Sequence, residues 1–123
     1  MAAARSLATD TGAVVLLKGP TTVIAAPDGR VLLTAAGDAR LATAGTGDVL
    51  AGIIGAFLAR GVGPLEAAAT AAHVHGRLAT AAGFKELPPT GVVAGDLSAR
   101  LVSVLAGFSI DAIDLADQTK GVC

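Results

Sequence analysis

The strongest constraint on the fold is a run of five apolar residues, Ala13 to Leu17, that ends directly at Lys18-Gly19-Pro20. A continuous apolar run of this length, closed by glycine and proline, is typical of a strand buried on both faces, as strands of parallel sheets are. Such a sheet needs helices on both faces, because successive side chains point to opposite sides. The sequence therefore predicts an α/β domain in which this strand belongs to a parallel sheet.

The composition agrees with close packing of helices on a sheet. Hydrophobic residues make up 53% of the 123 residues but aromatic residues only 2%, so Ala, Val, Leu and Ile carry the apolar content. Small and branched side chains of this kind suit helices that lie close to strands. The length fits one domain, or part of one, since single domains cluster at roughly 100 to 150 residues.

Charge and cysteine content exclude several classes of function. The net charge is −1 and the charged residues are scattered, so we expect no nucleic-acid partner. The single cysteine, Cys123, excludes an intrachain disulfide and a cysteine-based metal site. Residues 1–10 lack the pattern of a signal peptide, and the longest apolar segment, Val49 to Leu58, is too short to cross a bilayer. We expect a soluble cytoplasmic protein with no membrane partner.

Further strands and helices are predicted along the chain. Thr21 to Ala26 and Val31 to Thr34 are strand-like runs, and Pro27-Asp28-Gly29-Arg30 between them predicts a hairpin. Apolar periodicity and helix-terminal residues predict four helices, at Ala2 to Thr9, Asp48 to Gly61, Leu65 to Ala82 and Asp96 to Ala106. Beyond Phe108 there is no strong pattern, so we expect a domain over residues 1–108 and a tail over residues 109–123.

The helix predicted from Asp48 carries apolar residues on one side and small residues on the other. The small residues are Ala51, Gly52, Gly55, Ala56 and Ala59. Side chains of this size let another element approach closely. We therefore expect this helix to be buried on both sides.

The segment directly before that helix has the composition of an anion-binding loop. Gly45, Thr46 and Gly47 leave backbone N–H groups unobstructed at a helix N-terminus, where the helix dipole adds partial positive charge. Asp48 has two interpretations. It caps the helix, or it takes a proton from a hydroxyl that attacks a terminal phosphoryl group while the three amides hold the developing charge.

A second candidate loop, Lys18 to Thr22, follows the carboxyl end of the first strand, where open α/β sheets place their ligands. Lys18 either meets phosphate charge or is simply solvated, and Gly19 allows close approach of a ligand. We expect this loop and the Gly45–Asp48 loop to face one crevice. Neither loop matches a Walker motif or the dinucleotide fingerprint.

Taken in order, these segments resemble the ADP/ATP-dependent NAD(P)H-hydrate dehydratases of the ribokinase-like superfamily. The resemblance rests on Lys-Gly-x-x-Thr after the strand, the Pro-Asp-Gly hairpin, Leu-Ala-Thr-Ala-Gly-Thr-Gly-Asp-Val-Leu-Ala-Gly-Ile-Ile at residues 41–54, and His75-Gly76. It implies a ribokinase-like three-layer α/β/α sandwich, here a partial domain. The Gly-x-Gly-Asp core is shared with ribokinase-like kinases generally, whereas its flanks are typical of the dehydratases.

The resemblance implies a role for each matching residue. Lys18, Gly19, Pro20, Thr21 and Thr22, together with Gly47, match nucleotide-binding positions, and Asp48 matches the residue that binds the hydrated nicotinamide and acts as base. The implied reaction uses ADP or ATP with Mg²⁺ to phosphorylate the hydroxyl of hydrated NADH or NADPH, and loss of phosphate then restores the double bond. The residues themselves identify no Mg²⁺ ligands.

This sequence departs from the family pattern in three ways. Gly37-Asp38 stands where the family has a Gly-Asn pair. Ala44 replaces the first glycine of Ala-Thr-Gly-Gly-Thr-Gly-Asp, which requires that position 44 has no positive φ. The resemblance also covers only about Ala13 to Leu105, the second half of the family's domain. We therefore expect a homo-oligomer or a complementing amino-terminal half as partner.

Two alternative functions are a small-molecule kinase of the same superfamily and a truncated nucleotide-binding or oligomerising module without turnover. His73 and His75, two residues apart on a helix, cannot form a helical metal pair, and we expect a packing role for them. For Asp96 we expect a role at a helix start.

Overall fold

The computed structural model describes residues 1–36, 39–81 and 92–120, with side chains described as far as Gly107. Five helices and three strands follow one another along the described chain. In order they are α1 (Ala2–Thr11), β1 (Val15–Leu17), β2 (Thr22–Ala25), β3 (Val31–Thr34), a 3-10 helix (Ala39–Ala42), α2 (Thr46–Ala59), α3 (Pro64–Thr80) and α4 (Ala94–Lys120). The four predicted α-helices and the three predicted strands are confirmed.

The three strands form an antiparallel sheet in the order β1-β2-β3. The hairpin prediction is confirmed, with Gly29 at φ 93° in the turn and Asp28 accepting hydrogen bonds from Arg30. The prediction that β1 is a parallel strand buried on both faces is wrong for the described residues, because β1 runs antiparallel to β2 and Leu17 is 39% exposed. An apolar run of this kind suits a strand with neighbours on both edges, and the described residues supply one neighbour.

The sheet lies between two helical layers. On one face Val15, Ala25 and Val31 pack against Ala4 and Ala8 of α1. On the other face side chains of β1 and β2 join the larger cluster built by the remaining α-helices, whose buried members include Ile24, Leu50, Ile53, Leu65, Val74, Leu78 and Leu97. The expected three-layer α/β/α arrangement is confirmed.

Two helix boundaries differ from the sequence prediction. α2 begins at Thr46, two residues before Asp48, because Gly45 takes a left-handed conformation (φ 85°) and serves as the N-cap. The capping interpretation of Asp48 is therefore wrong, since Asp48 lies inside the first turn and makes no side-chain cap bond. α4 extends from Ala94 to Lys120, across the boundary expected at Phe108.

The expectation that α2 is buried on both sides is also wrong for the described residues. Its apolar side packs into the core through Leu50 and Ile53, but the side of small residues is exposed. A Cβ added at Gly52 or Gly55 would meet nothing within 4 Å. In the described part of the chain, α4 is separated from Gly52 and Ala56 of this side by an open cavity.

Gly76 on α3 makes the closest helix-to-loop approach among the described glycines. A Cβ at this position would lie 2.5 Å from the carbonyl carbon of Ala36 and 2.6 Å from its oxygen. Backbone atoms cannot rotate away as a flexible side chain can. The absence of a side chain at Gly76 therefore sets the distance between α3 and the segment that follows β3.

We predict that Gly76→Ala lowers the free energy of unfolding by about 1–3 kcal/mol, the usual cost of overpacking. Gly55→Ala is the matched control, because it adds the same methyl group to a helix at an open position. The control should be neutral or gain up to about 1 kcal/mol from helix propensity. Urea unfolding of both variants measures this, and equal stability of the two would contradict the packing described here.

Candidate functional site

A cavity of about 550 Å³ opens where the sheet meets α2 and α3. It is lined from the β1–β2 loop, the end of β3, the 3-10 helix and the two α-helices, through Lys18, Gly19, Pro20, Thr22, Thr34, Ala39, Leu41, Ala42, Leu50, Ala72, His75 and Gly76. We call this space the main cavity. Its volume is in the range of small-molecule sites, and its walls combine apolar side chains with a few polar groups.

The predicted loop Lys18 to Thr22 forms one wall of the main cavity. It follows the end of β1 and contributes four lining residues, whereas Thr21 is exposed and does not line the cavity. Lys18 is exposed, so its ammonium group can move to meet an anion. A Cβ at Gly19 would come 3.3 Å from the Thr21 carbonyl oxygen, so the loop turns tightly there.

The second predicted loop is held by the buried side chain of Thr46, which is 2% exposed. Its Oγ1 lies 2.7 Å from the carbonyl oxygen of Leu41 and 2.9 Å from that of Thr43, and the hydroxyl donates to these acceptors. The hydroxyl therefore stabilises the turn before α2. Only the backbone of Thr46 is left to bind a ligand. No residue other than glycine has positive φ in the described chain, so Ala44 meets the condition that its substitution imposed.

The N-terminus of α2 has the features of an anion site. The Thr46 amide makes only a long hydrogen bond, 3.4 Å, to Thr43, and the described residues provide no hydrogen-bond acceptor for the Gly47 amide. A Cβ at Gly47 would meet nothing within 4 Å, so the space beside it is open. Free amides at a helix N-terminus, where the dipole is positive, favour a bound anion.

Asp48 does not face the main cavity. It is exposed and lies on the wall of a second cavity of about 500 Å³ between α2 and α4, whose other lining residues are Val49, Gly52, Ile53, Ala56, Phe57, Arg60, Ser98, Leu101 and Leu105. Among the described residues, the Lys18–Thr22 loop therefore lines the main cavity and Asp48 lines the second cavity. The reason is the early start of α2, because Thr46 points into the core and Asp48, two residues later, points to the opposite side of the helix.

His75 lines the main cavity and is hydrogen-bonded to the start of α2, whereas the sequence pattern indicated only a packing role for it. Its ring is 2% exposed, lines the main cavity and lies with Nε2 2.8 Å from the carbonyl oxygen of Thr46. Burial lowers the pKa of His75, the hydrogen bond to Thr46 opposes this, and the charge of Lys18 lowers the pKa further. Because a carbonyl only accepts hydrogen bonds, the neutral ring carries its proton on Nε2.

The remaining two residues considered in the sequence analysis, His73 and Asp96, line neither of the two cavities. His73 is exposed on α3, and the described chain contains no group of three residues able to hold a metal ion. Asp96 accepts a hydrogen bond from the Val93 amide at 3.0 Å, at the first turn of α4. This confirms the expected helix-start role of Asp96.

The sequence matches one family over most of its length. Residues 1–102 fit the family model described as NAD(P)H-hydrate dehydratase. The chain belongs to this family. The architecture is the ribokinase-like three-layer sandwich in partial form, as the resemblance implied.

Individual relatives agree with the family assignment. An ADP-dependent (S)-NAD(P)H-hydrate dehydratase of Neisseria meningitidis is 43% identical over 97 residues, which are 79% of this chain and 33% of the relative. The bifunctional NAD(P)H-hydrate repair enzyme Nnr of Mycobacterium leprae is 58% identical over 77 residues, 63% of this chain and 16% of that protein.

The solved structures include an ADP/ATP-dependent NAD(P)H-hydrate dehydratase of Bacillus subtilis co-crystallised with ATP and Mg²⁺. It superposes with a TM-score of 0.80 at 36% identity, over 87% of this chain and 38% of that one. The chain thus spans about a third of the length of the first of these relatives and less than half of the solved structure. The helices that the structure describes include none long and apolar enough to span a membrane.

We predict that His75 makes stability pH-dependent. Its folded pKa is lowered, so below the ordinary value of 6.5 the unfolded chain binds a proton that the folded chain resists. The stabilisation by the neutral ring is complete above pH 6.5 and is lost as the pH falls towards the folded pKa. Urea unfolding between pH 5 and 8 should show that the free energy of unfolding falls as the pH is lowered, and that it falls less steeply in His75→Gln. The same pH dependence in both proteins would rule out this effect.

Proposed function

We propose that this chain supplies the nucleotide-binding part of an ADP- or ATP-dependent dehydration that returns hydrated NADH or NADPH to the reduced dinucleotide. The observation that carries the proposal is the main cavity, which a lysine-glycine loop lines on one side and whose His75 holds a helix N-terminus with free amides. A lysine beside a glycine loop and amides at a helix N-terminus are groups that bind phosphate. The names of the relatives and the ATP and Mg²⁺ in the Bacillus crystals support the same assignment.

The nucleotide would be held by both predicted loops. Lys18 offsets phosphate charge, and Gly19, Pro20, Thr21 and Thr22 shape the loop around it. At the other loop the amides of Gly45, Thr46 and Gly47 meet the phosphoryl group that is transferred. Preorganised amides of this kind stabilise the charge that develops on the phosphoryl oxygens.

Asp48 would act as the base and bind the hydrated nicotinamide. The exposed carboxylate accepts the proton of the ring hydroxyl as the hydroxyl oxygen attacks the terminal phosphorus of the nucleotide. The bond from that phosphorus to the bridging oxygen breaks, and the shortened nucleotide leaves with that oxygen. Elimination of the new phosphate group, with loss of a proton from the neighbouring carbon, then forms the double bond.

Mg²⁺ would enter with the nucleotide. The described chain has no group of three carboxylates, histidines or cysteines to hold the ion by itself. Mg²⁺ commonly binds through substrate phosphates and water with one or two protein ligands. The ion would shield phosphate charge, while Lys18 and the α2 amides orient the phosphates.

A second candidate function is a nucleotide-binding or oligomerising module without turnover of its own. It is favoured by the length of the match, since the chain covers 33% of the Neisseria relative and 38% of the Bacillus chain. A small-molecule kinase would use the same Gly45–Asp48 loop. The family match favours the dehydratase over this kinase.

A partner would complete the sheet. The outer edge of β1 has no neighbour in the described chain, and Leu17 and Leu33, 39% and 54% exposed, lie on one face of the sheet. Unpaired edges and exposed apolar groups favour association. The partner would be a second copy of this chain or a polypeptide that supplies the remaining part of the family domain.

We predict that the purified chain self-associates and that Leu17→Glu weakens this association, because Leu17 lies on the unpaired strand β1 and a carboxylate there would be buried in the interface. Leu58→Glu on α2, at a leucine that is 44% exposed, is the control and should leave association unchanged. Sedimentation velocity over a range of concentrations measures the assembly. A monodisperse monomer at all concentrations would contradict self-association.

We predict that Mg·ADP raises the thermal stability of the chain by roughly 2.7 kcal/mol at a hundredfold excess over its dissociation constant. Lys18→Ala should reduce this shift, because it removes charge at the main cavity. Arg5→Ala removes the same charge from α1, in the opposite layer, and should not reduce it. Absence of any shift in the unaltered chain would contradict the proposed nucleotide site.

We predict that Asp48→Asn keeps the thermal shift with Mg·ADP but abolishes conversion of hydrated NADH, since the amide cannot accept the proton. The conversion is measured by the recovery of NADH absorbance, with the unaltered chain as control and with its partner present if one is required. If Asp48→Asn converts hydrated NADH at the same rate as the unaltered chain, Asp48 is not the base.

A further inference from the structure

One buried hydrogen bond ties α3 to the start of α2. The ring of His75, with Nε2 protonated, donates to the carbonyl oxygen of Thr46 at 2.8 Å. The ring is 2% exposed and the side chain of Thr46 is equally buried, so water does not compete for this bond. The position of His75 on α3 is also restrained by its neighbour Gly76, which packs directly on the backbone of Ala36.

This bond controls a group that the histidine does not touch. The carbonyl of Thr46 and the N–H of Gly47 belong to the same planar peptide unit and point in opposite directions. Holding the carbonyl towards the buried ring of His75 therefore directs the Gly47 N–H away from that ring. Glycine at position 47 makes this control necessary, because its backbone rotates more freely than that of other residues.

We propose that His75 is a positioning residue of the nucleotide site: by holding the Thr46 carbonyl it orients the Gly47 amide towards the phosphate. The inference rests on the proposed function and adds to it a residue on a third element. It also explains why a histidine lines a cavity whose other α3 residues, Ala72 and Gly76, are small. The ring does not contact phosphate, and its effect passes through the peptide unit between residues 46 and 47.

The test compares two substitutions that differ in the hydrogen bond. In His75→Gln the side-chain amide nitrogen lies close to the position of Nε2 and can still donate to Thr46. In His75→Leu the volume is similar but the donor is absent. We expect His75→Leu to weaken Mg·ADP binding about tenfold, which equals about 1.4 kcal/mol, and His75→Gln to remain within about threefold of the unaltered chain.

A second measurement needs no nucleotide. Backbone ¹⁵N order parameters of Thr46 and Gly47 should fall in His75→Leu and be restored in His75→Gln, because only the first substitution frees the peptide unit. In the unaltered chain, ¹⁵N spectra of the ring should show the proton on Nε2. These readouts separate positioning from a general loss of stability, which would affect α1 and α3 as much as the turn.

The outcomes are distinguishable from failure of the proposed function. If the unaltered chain binds no Mg·ADP, the proposed function fails, and the order parameters still decide whether His75 orients the turn. If His75→Leu binds Mg·ADP as tightly as His75→Gln, or if both have the same order parameters at Gly47, the positioning role is overturned. Should His75→Leu not fold, a ring without a proton on Nε2 in the unaltered chain would overturn it, and the protonated ring would support it.

Discussion

The arrangement of the site depends on the burial of one residue, Thr46, at the start of α2. Its hydroxyl donates within the preceding turn and its carbonyl accepts from His75, so side chain and backbone are both fixed in the core. Buried polar groups are costly unless they are paired, and these pairs form only in one orientation of the helix. The direction of the free amides at this helix end follows from that orientation.

Small residues let this arrangement form in a chain with few aromatic side chains. Gly76 brings α3 onto the segment after β3, and Gly45 brings the turn before α2 to within contact of Ala94. Close approach of this kind leaves the main cavity between the sheet and the two helices rather than filling it with side chains. Lys18 and the α2 N-terminus both provide positive charge near His75, which favours an anionic ligand.

The sequence predicted the elements well and their surroundings less well. The hairpin and the helices depend on local features that act within a few residues. These are Gly29 in the hairpin turn, the left-handed Gly12 at the C-cap of α1 and Pro64 at the first position of α3. The predicted burial of β1 and of the small-residue side of α2 was wrong, because burial depends on neighbours and the described residues provide them on one side only. The role of His75 was missed because its partner, Thr46, is 29 residues away and a backbone carbonyl has no sequence signature.

The most direct test of the nucleotide site is an NMR titration of the ¹⁵N-labelled chain with Mg·ADP, because it reports on each backbone amide separately. We predict that the largest changes in amide chemical shift occur at Lys18 to Thr22 and at Gly45 to Gly47. The chemical shifts of the α1 amides, in the opposite layer, should not change. Changes confined to other parts of the chain, or none at saturating nucleotide, would contradict the assignment of this site.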